Sequence, residues 1–192
     1  MMMPSSLQRT FAVDEHAAIA VAGVVPDARQ IVNRAREEAA NYKRVYGGPI
    51  PGMVLNERLG LFIHAHTLGW SVRPFGTGLL LAVKDSDSAQ LFSLDSAGNS
   101  YEYYGHAFGK GRQIAKTELE KLDLSEMTCD EFLPHATRIL LLAHEDSKDK
   151  DMIMEIACMG DHTNWRLEQV SSARMAAAVA EAEAVIEAMD EE

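Results

Sequence analysis

The sequence predicts an α+β fold: antiparallel sheets stacked on one another, with paired helices over their outer faces, in a four-layer α-β-β-α sandwich. Three observations predict it. Along the 192 residues the apolar period alternates between strand-like and helical, in the order strand, two helices, three strands, two helices, two strands, helix. The strands between the helix pairs are joined by short turn sequences, which makes them antiparallel meanders. The regular βαβα alternation of a doubly wound parallel sheet is missing. A chain of this length buries roughly 70% of its unfolded surface, and residues 1–192 read as a single domain.

The first regular element is AAIAVAGVV, residues 17–25, apolar at every position and ended by Gly23 and Pro26. A strand buried on both faces has that composition. Pro26 then opens a helix, because its fixed φ suits a first turn where a missing N–H costs nothing. Ala28, Ile31, Val32, Ala35, Ala39 and Tyr42 form its apolar stripe, and Gly47-Gly48-Pro49 stops it. A second helix is predicted from about Met53 to Trp70, with Leu55, Leu59, Phe62, Ile63, His66 and Trp70 on one stripe. The connection through Pro49 and Pro51 is short, so the two helices pair antiparallel.

The period then falls to two. GTGLLLAV, AQLFSL and SYEYYGHAF read as three strands, separated by Asp85-Ser86-Asp87-Ser88 and Asp95-Ser96-Ala97-Gly98. The second turn has Asp at its first position and Gly at its fourth, as a type I turn prefers. Both faces of the first strand are apolar, so it is expected to be covered on both sides. Helices follow over about 112–122 and 129–145, the latter with Thr128 and Glu131 as a capping box and Pro134 near its first turn. DSKDKD is a solvated turn, MIMEIACM and NWRLEQV a last hairpin, and a final helix starts near Ser172.

Composition narrows the chemistry. Apolar residues make up 47% of the chain and charged residues 24%, as in an ordinary globular protein. A net charge of −11 argues against a nucleic-acid partner, since neutralising phosphates needs a basic face. No apolar run reaches the eighteen or so residues of a membrane span, and the first residues lack the layout of a signal peptide. Cys129 and Cys158 sit in apolar patterns without a CxxC, which predicts two buried thiols rather than a disulfide framework.

Gly109-Lys110-Gly111 follows a strand and precedes a helix, as a phosphate loop would. The full pattern needs a glycine where Tyr104 stands and a hydroxyl where Gly111 stands, so the two glycines are read as a tight strand-to-helix corner. A nucleotide-binding module built on that corner remains an alternative reading. His64 and His66 lie two apart on a helix, about 200° around it, and cannot share an ion. His16, His106, His135, His144 and His162 are scattered, so no metal and no cofactor is expected. Tyr101, Tyr103 and Tyr104 are assigned to packing and interfaces.

Stacked antiparallel sheets between helix layers is also the architecture of N-terminal nucleophile hydrolases. That chemistry needs a Thr, Ser or Cys whose own α-amine serves as base. Here the chain begins Met1-Met2-Met3, and its first threonine, Thr10, follows Arg9 in an internal peptide bond. The residues therefore read as catalytically silent.

Several stretches resemble proteasome alpha subunits. AAIAVAGVVPDARQIVNRAREEAANYKRVYG is similar to their strand-and-helix segment ending in G-x-x-x-D-A-R. SVRPFGTGLLLA is similar to their V-R-P-[FY]-G approach to a strand, and LFSLDSAGNSYEYYGHAFGKGRQIAKTELEKL to their hairpin and strand-to-helix corner. KTELEKL, EMTCDEF and HEDSKDK most resemble the type-3, seventh-position branch. The resemblance covers about residues 9–180. It implies an N-terminal nucleophile hydrolase-like fold without protease activity, in the seven-membered outer ring of the 20S core. It implies neighbouring alpha subunits, beta subunits and the C-terminal tails of activators as partners, and a place in cytoplasm and nucleus in ubiquitin-dependent degradation. Arg9, just before the apolar strand, is the position the resemblance assigns to an activator-tail pocket. Family members carry a further N-terminal segment with a helix and a first strand hairpin. The chain is thus expected to be incomplete at its N-terminus, with an open apolar edge. A free-standing amidohydrolase of the same fold is the alternative.

Overall fold

The computed structural model describes residues 8–86, 88–125, 127–145 and 153–190. Its centre is a five-stranded antiparallel sheet in the order β1 (Thr10–Asp14), β2 (Ala17–Gly23), β3 (Thr77–Lys84), β4 (Ala89–Leu94) and β5 (Ser100–Glu102). Strand order follows chain order. Among the described residues of the sheet, the long excursion lies between β2 and β3, where α1 (Val25–Tyr46) and α2 (Gly52–Leu68) leave the sheet and return to cover one face.

That face shows why the pattern folds as it does. Ala17, Ile19 and Val21 of β2 point the same way as Leu79, Leu81 and Val83 of β3 and Phe92 and Leu94 of β4, as the pairings Ile19↔Leu81 and Leu81↔Phe92 require. Opposite them stand Ala28, Ile31, Val32, Ala35 and Ala39 of α1 and Leu55, Leu59 and Ile63 of α2, all buried. The small side chains on α1 let it lie close to the strands. α1 stops at Gly47, whose left-handed φ of 77° and N–H bond to the Lys43 carbonyl at 2.9 Å make the expected C-cap. Between the helices, Glu38 of α1 accepts from Arg34 and from Arg58 of α2, the latter at 2.8 Å. The paired carboxylate holds the antiparallel helices in register.

Four expectations are corrected. β1 was not foreseen; its TFAVD is a weak apolar signal, made a strand by pairing with the strongly apolar β2. Trp70 does not belong to the α2 stripe. The backbone of Gly69 is extended (φ −107°, ψ 142°) and ends the helix at Leu68, leaving Trp70 fully exposed at 106%. β3 is covered fully on one side only: Leu79, Leu81 and Val83 are buried, while Gly78, Leu80 and Ala82 are half-buried. The third strand of the meander is short: β5 ends at Glu102, one last bond runs from the Tyr103 N–H to the Leu91 carbonyl at 2.9 Å, and Tyr103, His106 and Phe108 then pack their rings on one another.

Beyond the meander come α3 (Arg112–Leu119), α4 (Cys129–Glu145), a two-residue-per-strand hairpin of β6 (Ala157–Cys158) and β7 (Glu168–Gln169), and α5 (Ser172–Asp190). The capping box is formed: Glu131 accepts from the Thr128 N–H at 2.9 Å and donates its own N–H to the Thr128 hydroxyl at 3.3 Å. Pro134 is the sixth residue of α4, inside the helix rather than in its first turn. The predicted solvated turn DSKDKD lies outside the described residues, apart from the helix end before it. α4 and α5 form a smaller cluster around Leu133, Ile139, Ala178, Ala182 and Ile186. Helices and antiparallel sheets together are the α+β arrangement read from the sequence.

Candidate functional site

One end of the sheet collects the residues to which the sequence motifs assign meaning. β2 ends at Gly23, with φ of +117°; a Cβ there would stand 2.3 Å from the Gly76 carbonyl oxygen, so only glycine fits. The next residue, Val24, donates its N–H to that carbonyl at 2.9 Å. Asp27, in the first turn of α1, receives both ends of the Arg73 guanidinium at 2.7 and 2.8 Å and the Gly76 N–H at 2.9 Å. The residue is 6% exposed. The Arg73 hydrogen bonds, helped by the Gly76 N–H, lower its pKa to about 2. Gly23, Asp27, Arg73 and Gly76 thus form a clasp that fixes the start of α1 to the approach to β3. The clasp joins the two motif stretches, 46 residues apart at Asp27 and Arg73.

Arg9 stands at the same end. Its guanidinium donates to the Gly23 carbonyl at 3.1 Å, and its carbonyl accepts from Val21. Its backbone N–H donates to Glu155 at 2.8 Å, and the Thr10 N–H donates to the same carboxylate at 3.1 Å. The Thr10 hydroxyl also donates to Glu155, and Gln169 of β7 donates to that hydroxyl at 2.8 Å. Glu155 therefore occupies edge donors of the sheet that would otherwise face solvent. Thr10 has a peptide N–H bonded to a carboxylate, where a nucleophile of the N-terminal kind would need a free amine as base. Glu155 was missed by sequence reasoning; 145 residues separate it from Thr10, and nothing local marks it.

The other candidates fall to structural roles. Gly109 (φ +96°) lies against Ala22 of β2, and Gly111 (φ +73°) lies against Ala143 of α4, where a Cβ would meet its carbonyl oxygen at 2.8 Å. The corner is a close approach to sheet and helix, as its glycines predicted. His64 Nδ1 is 3.1 Å from the Ala97 carbonyl oxygen. His66 packs between Phe62 and Phe75, with ring centroids 4.8 and 4.4 Å away. Tyr103 stacks on His106 at 4.5 Å, and His106 meets Phe108, which lies over Gly78. Burial lowers the His106 pKa, with the charges of Lys116 and Arg112 adding to it. Tyr101 and Tyr104 remain exposed. Among the described residues, no group of three His, Cys, Asp or Glu could hold a metal ion, and no helix is long and apolar enough to cross a membrane.

Comparison with known proteins matches the family model "Proteasome subunit" over residues 1–159. The chain is 43% identical over 190 residues to a proteasome subunit alpha type-3 of Oryza sativa, covering 99% of this chain and 76% of that protein. It is 42% identical to the alpha type-3 subunit of Arabidopsis thaliana over the same shares. A probable proteasome subunit alpha type-7 of Saccharomyces cerevisiae is 42% identical over 168 residues, 85% of this chain and 58% of that one.

Proposed function

The chain belongs to the proteasome subunit family, among its alpha-type members, and from that premise we propose that it is a non-catalytic structural subunit of the outer alpha ring of the 20S core. The observation that carries this reading is the likeness to alpha subunits over 99% of the chain. The Gly23–Asp27–Arg73–Gly76 clasp supports it, since the family-like stretches hold the fold together in place of building a reaction centre. Thr10, bonded through its peptide N–H to Glu155, supports the absence of proteolysis by this subunit within a threonine-protease complex. The partners are neighbouring alpha subunits and the beta subunits of the core, and the compartments are cytoplasm and nucleus.

Arg9 is proposed to receive the C-terminal carboxylate of an activator tail. Its guanidinium spends one bond on Gly23, and the side chain is exposed at the sheet end. In cells the tagged protein is expected to sediment with a very large complex that carries peptidase activity, and Arg9→Ala in that complex to weaken binding of activator-tail peptides. Recovery only as a small free protein would overturn the ring assignment; unchanged tail binding would overturn the role of Arg9 alone.

A further inference from the structure

The chain has two cysteines, and the fold brings them to one place. Cys129 opens α4, and Cys158 ends β6. The Cys129 Sγ lies 3.7 Å from the carbonyl oxygen of Met159, the residue that follows Cys158. A Cβ on Gly160 would stand 3.1 Å from the same sulfur, so the turn after β6 runs directly beneath it. Both thiols are free and half-buried, not fully buried as the apolar pattern predicted.

We propose that Cys129 and Cys158 form a reversible dithiol–disulfide couple that a hydroperoxide closes. The thiolate of one cysteine attacks the peroxide oxygen: an S–O bond forms, the O–O bond breaks, and the departing oxygen leaves as water or alcohol after taking a proton. The second thiol loses its proton and attacks the resulting sulfenic sulfur. The S–S bond forms as S–O breaks, and hydroxide leaves as water on protonation. Two electrons pass from the thiol pair to the peroxide, and a dithiol reverses the reaction by two exchanges.

The surroundings set the rate. Burial raises both thiols above their ordinary values. On Cys129 the nearby Asp130 and Asp161 add to the rise; on Cys158 a charge on Cys129, and Asp130, do the same. Arg174 of α5 opposes it for both, and the Met159 contact opposes it for Cys129. Thiolate is therefore scarce at neutral pH, and the couple answers sustained rather than brief oxidant. Closure would tie α4 to the β6–β7 hairpin. That hairpin carries Gln169, and the segment leading into it carries Glu155, the two side chains that hold Arg9 and Thr10. The bond would thus reach the sheet edge.

The test treats the unaltered chain with hydrogen peroxide and follows intact mass and a non-reducing peptide map. A loss of about 2 Da, a linked peptide joining Cys129 to Cys158, and recovery of both on adding dithiothreitol are expected. Amide exchange at Arg9 and Thr10 is expected to slow several-fold in the oxidised form. Cys129→Ser and Cys158→Ser are each expected to abolish the mass loss. Sulfinic acid on each cysteine separately, or dimers linked between chains, with no internal cross-link in the map of the unaltered chain, would overturn the proposal. That map does not depend on either variant folding.

Discussion

The half of the molecule built on β1–β5, α1 and α2 and the half built on α3–α5 with β6–β7 are held by different means. The first has one continuous apolar core in which Leu55, Leu59 and Leu81 are wholly buried between a broad sheet face and two long helices. The second has two-residue strands, and its cluster relies on Ala178, Ala182, Leu133, Ile139 and Ile186. Its helices are also joined by polar contacts. Glu118 of α3, largely buried, forms ion pairs with Arg138 of α4 at 3.2 Å and with Lys121. Such pairs contribute less net stability than apolar burial, because each charge gives up its water. The difference teaches that the sheet half sets global stability, while the helical half is the softer part.

The largest expected effect tests that ranking directly. Leu81→Ala removes a wholly buried side chain from the middle of the sheet and is expected to cost about 2–5 kcal/mol. Ile186→Ala, in the smaller α4–α5 cluster, should cost clearly less, because fewer buried side chains surround it and the site can collapse. Urea midpoints of the two variants measure both. Equal losses would show that the two halves share one core.

Next in size is the clasp. Asp27→Asn removes a charge that Arg73 grips with two hydrogen bonds, and about 2 kcal/mol should be lost at neutral pH. The pH dependence has a definite sign. The folded-state pKa, about 2, lies below the unfolded value, so the stabilisation is complete above about pH 4 and is lost as pH falls toward 2. Unfolding curves at pH 7 and pH 2.5 should differ less for Asp27→Asn than for the parent chain. An identical pH response in both would remove Asp27 from the account.

What was legible in the sequence follows the same division. β2, α1, α2, β3 and β4 were readable because their apolar periods are long and their stops are chemically distinct: Gly47 at the end of α1, and Asp95 with Gly98 in a turn where Asp95 accepts the Ala97, Gly98 and Asn99 N–H groups. The α4 start was readable because a capping box is local. What stayed hidden was non-local. TFAVD becomes a strand through β2 and Glu155, and Asp27 meets Arg73 only when the helix pair returns to the sheet. β6 and β7 were foreseen as a hairpin, yet the eight- and seven-residue stretches yield two paired residues each, since a three-residue helical turn, Asp161–Thr163, takes up the chain between them. Trp70 fits the helical period and still leaves it, because period says nothing about where the backbone at Gly69 turns.

The smallest predicted effect sharpens the comparison most. Thr128→Ala deletes the hydroxyl that accepts the Glu131 N–H and donates to the Glu131 carboxylate, leaving that carboxylate only the backbone N–H of residue 128. Loss of a cap of this kind costs about 1 kcal/mol. If the helical half opens on its own, amide exchange should quicken through the first turns of α4 and in the β6–β7 hairpin packed against Cys129, while amides of β2 and β3 keep their protection. Quickening in all of them together would mean that the cap is coupled to the sheet core and that the molecule opens as one unit. Local quickening instead places the opening where the thiols meet, so that a disulfide there would restrain the part of the fold that moves most readily.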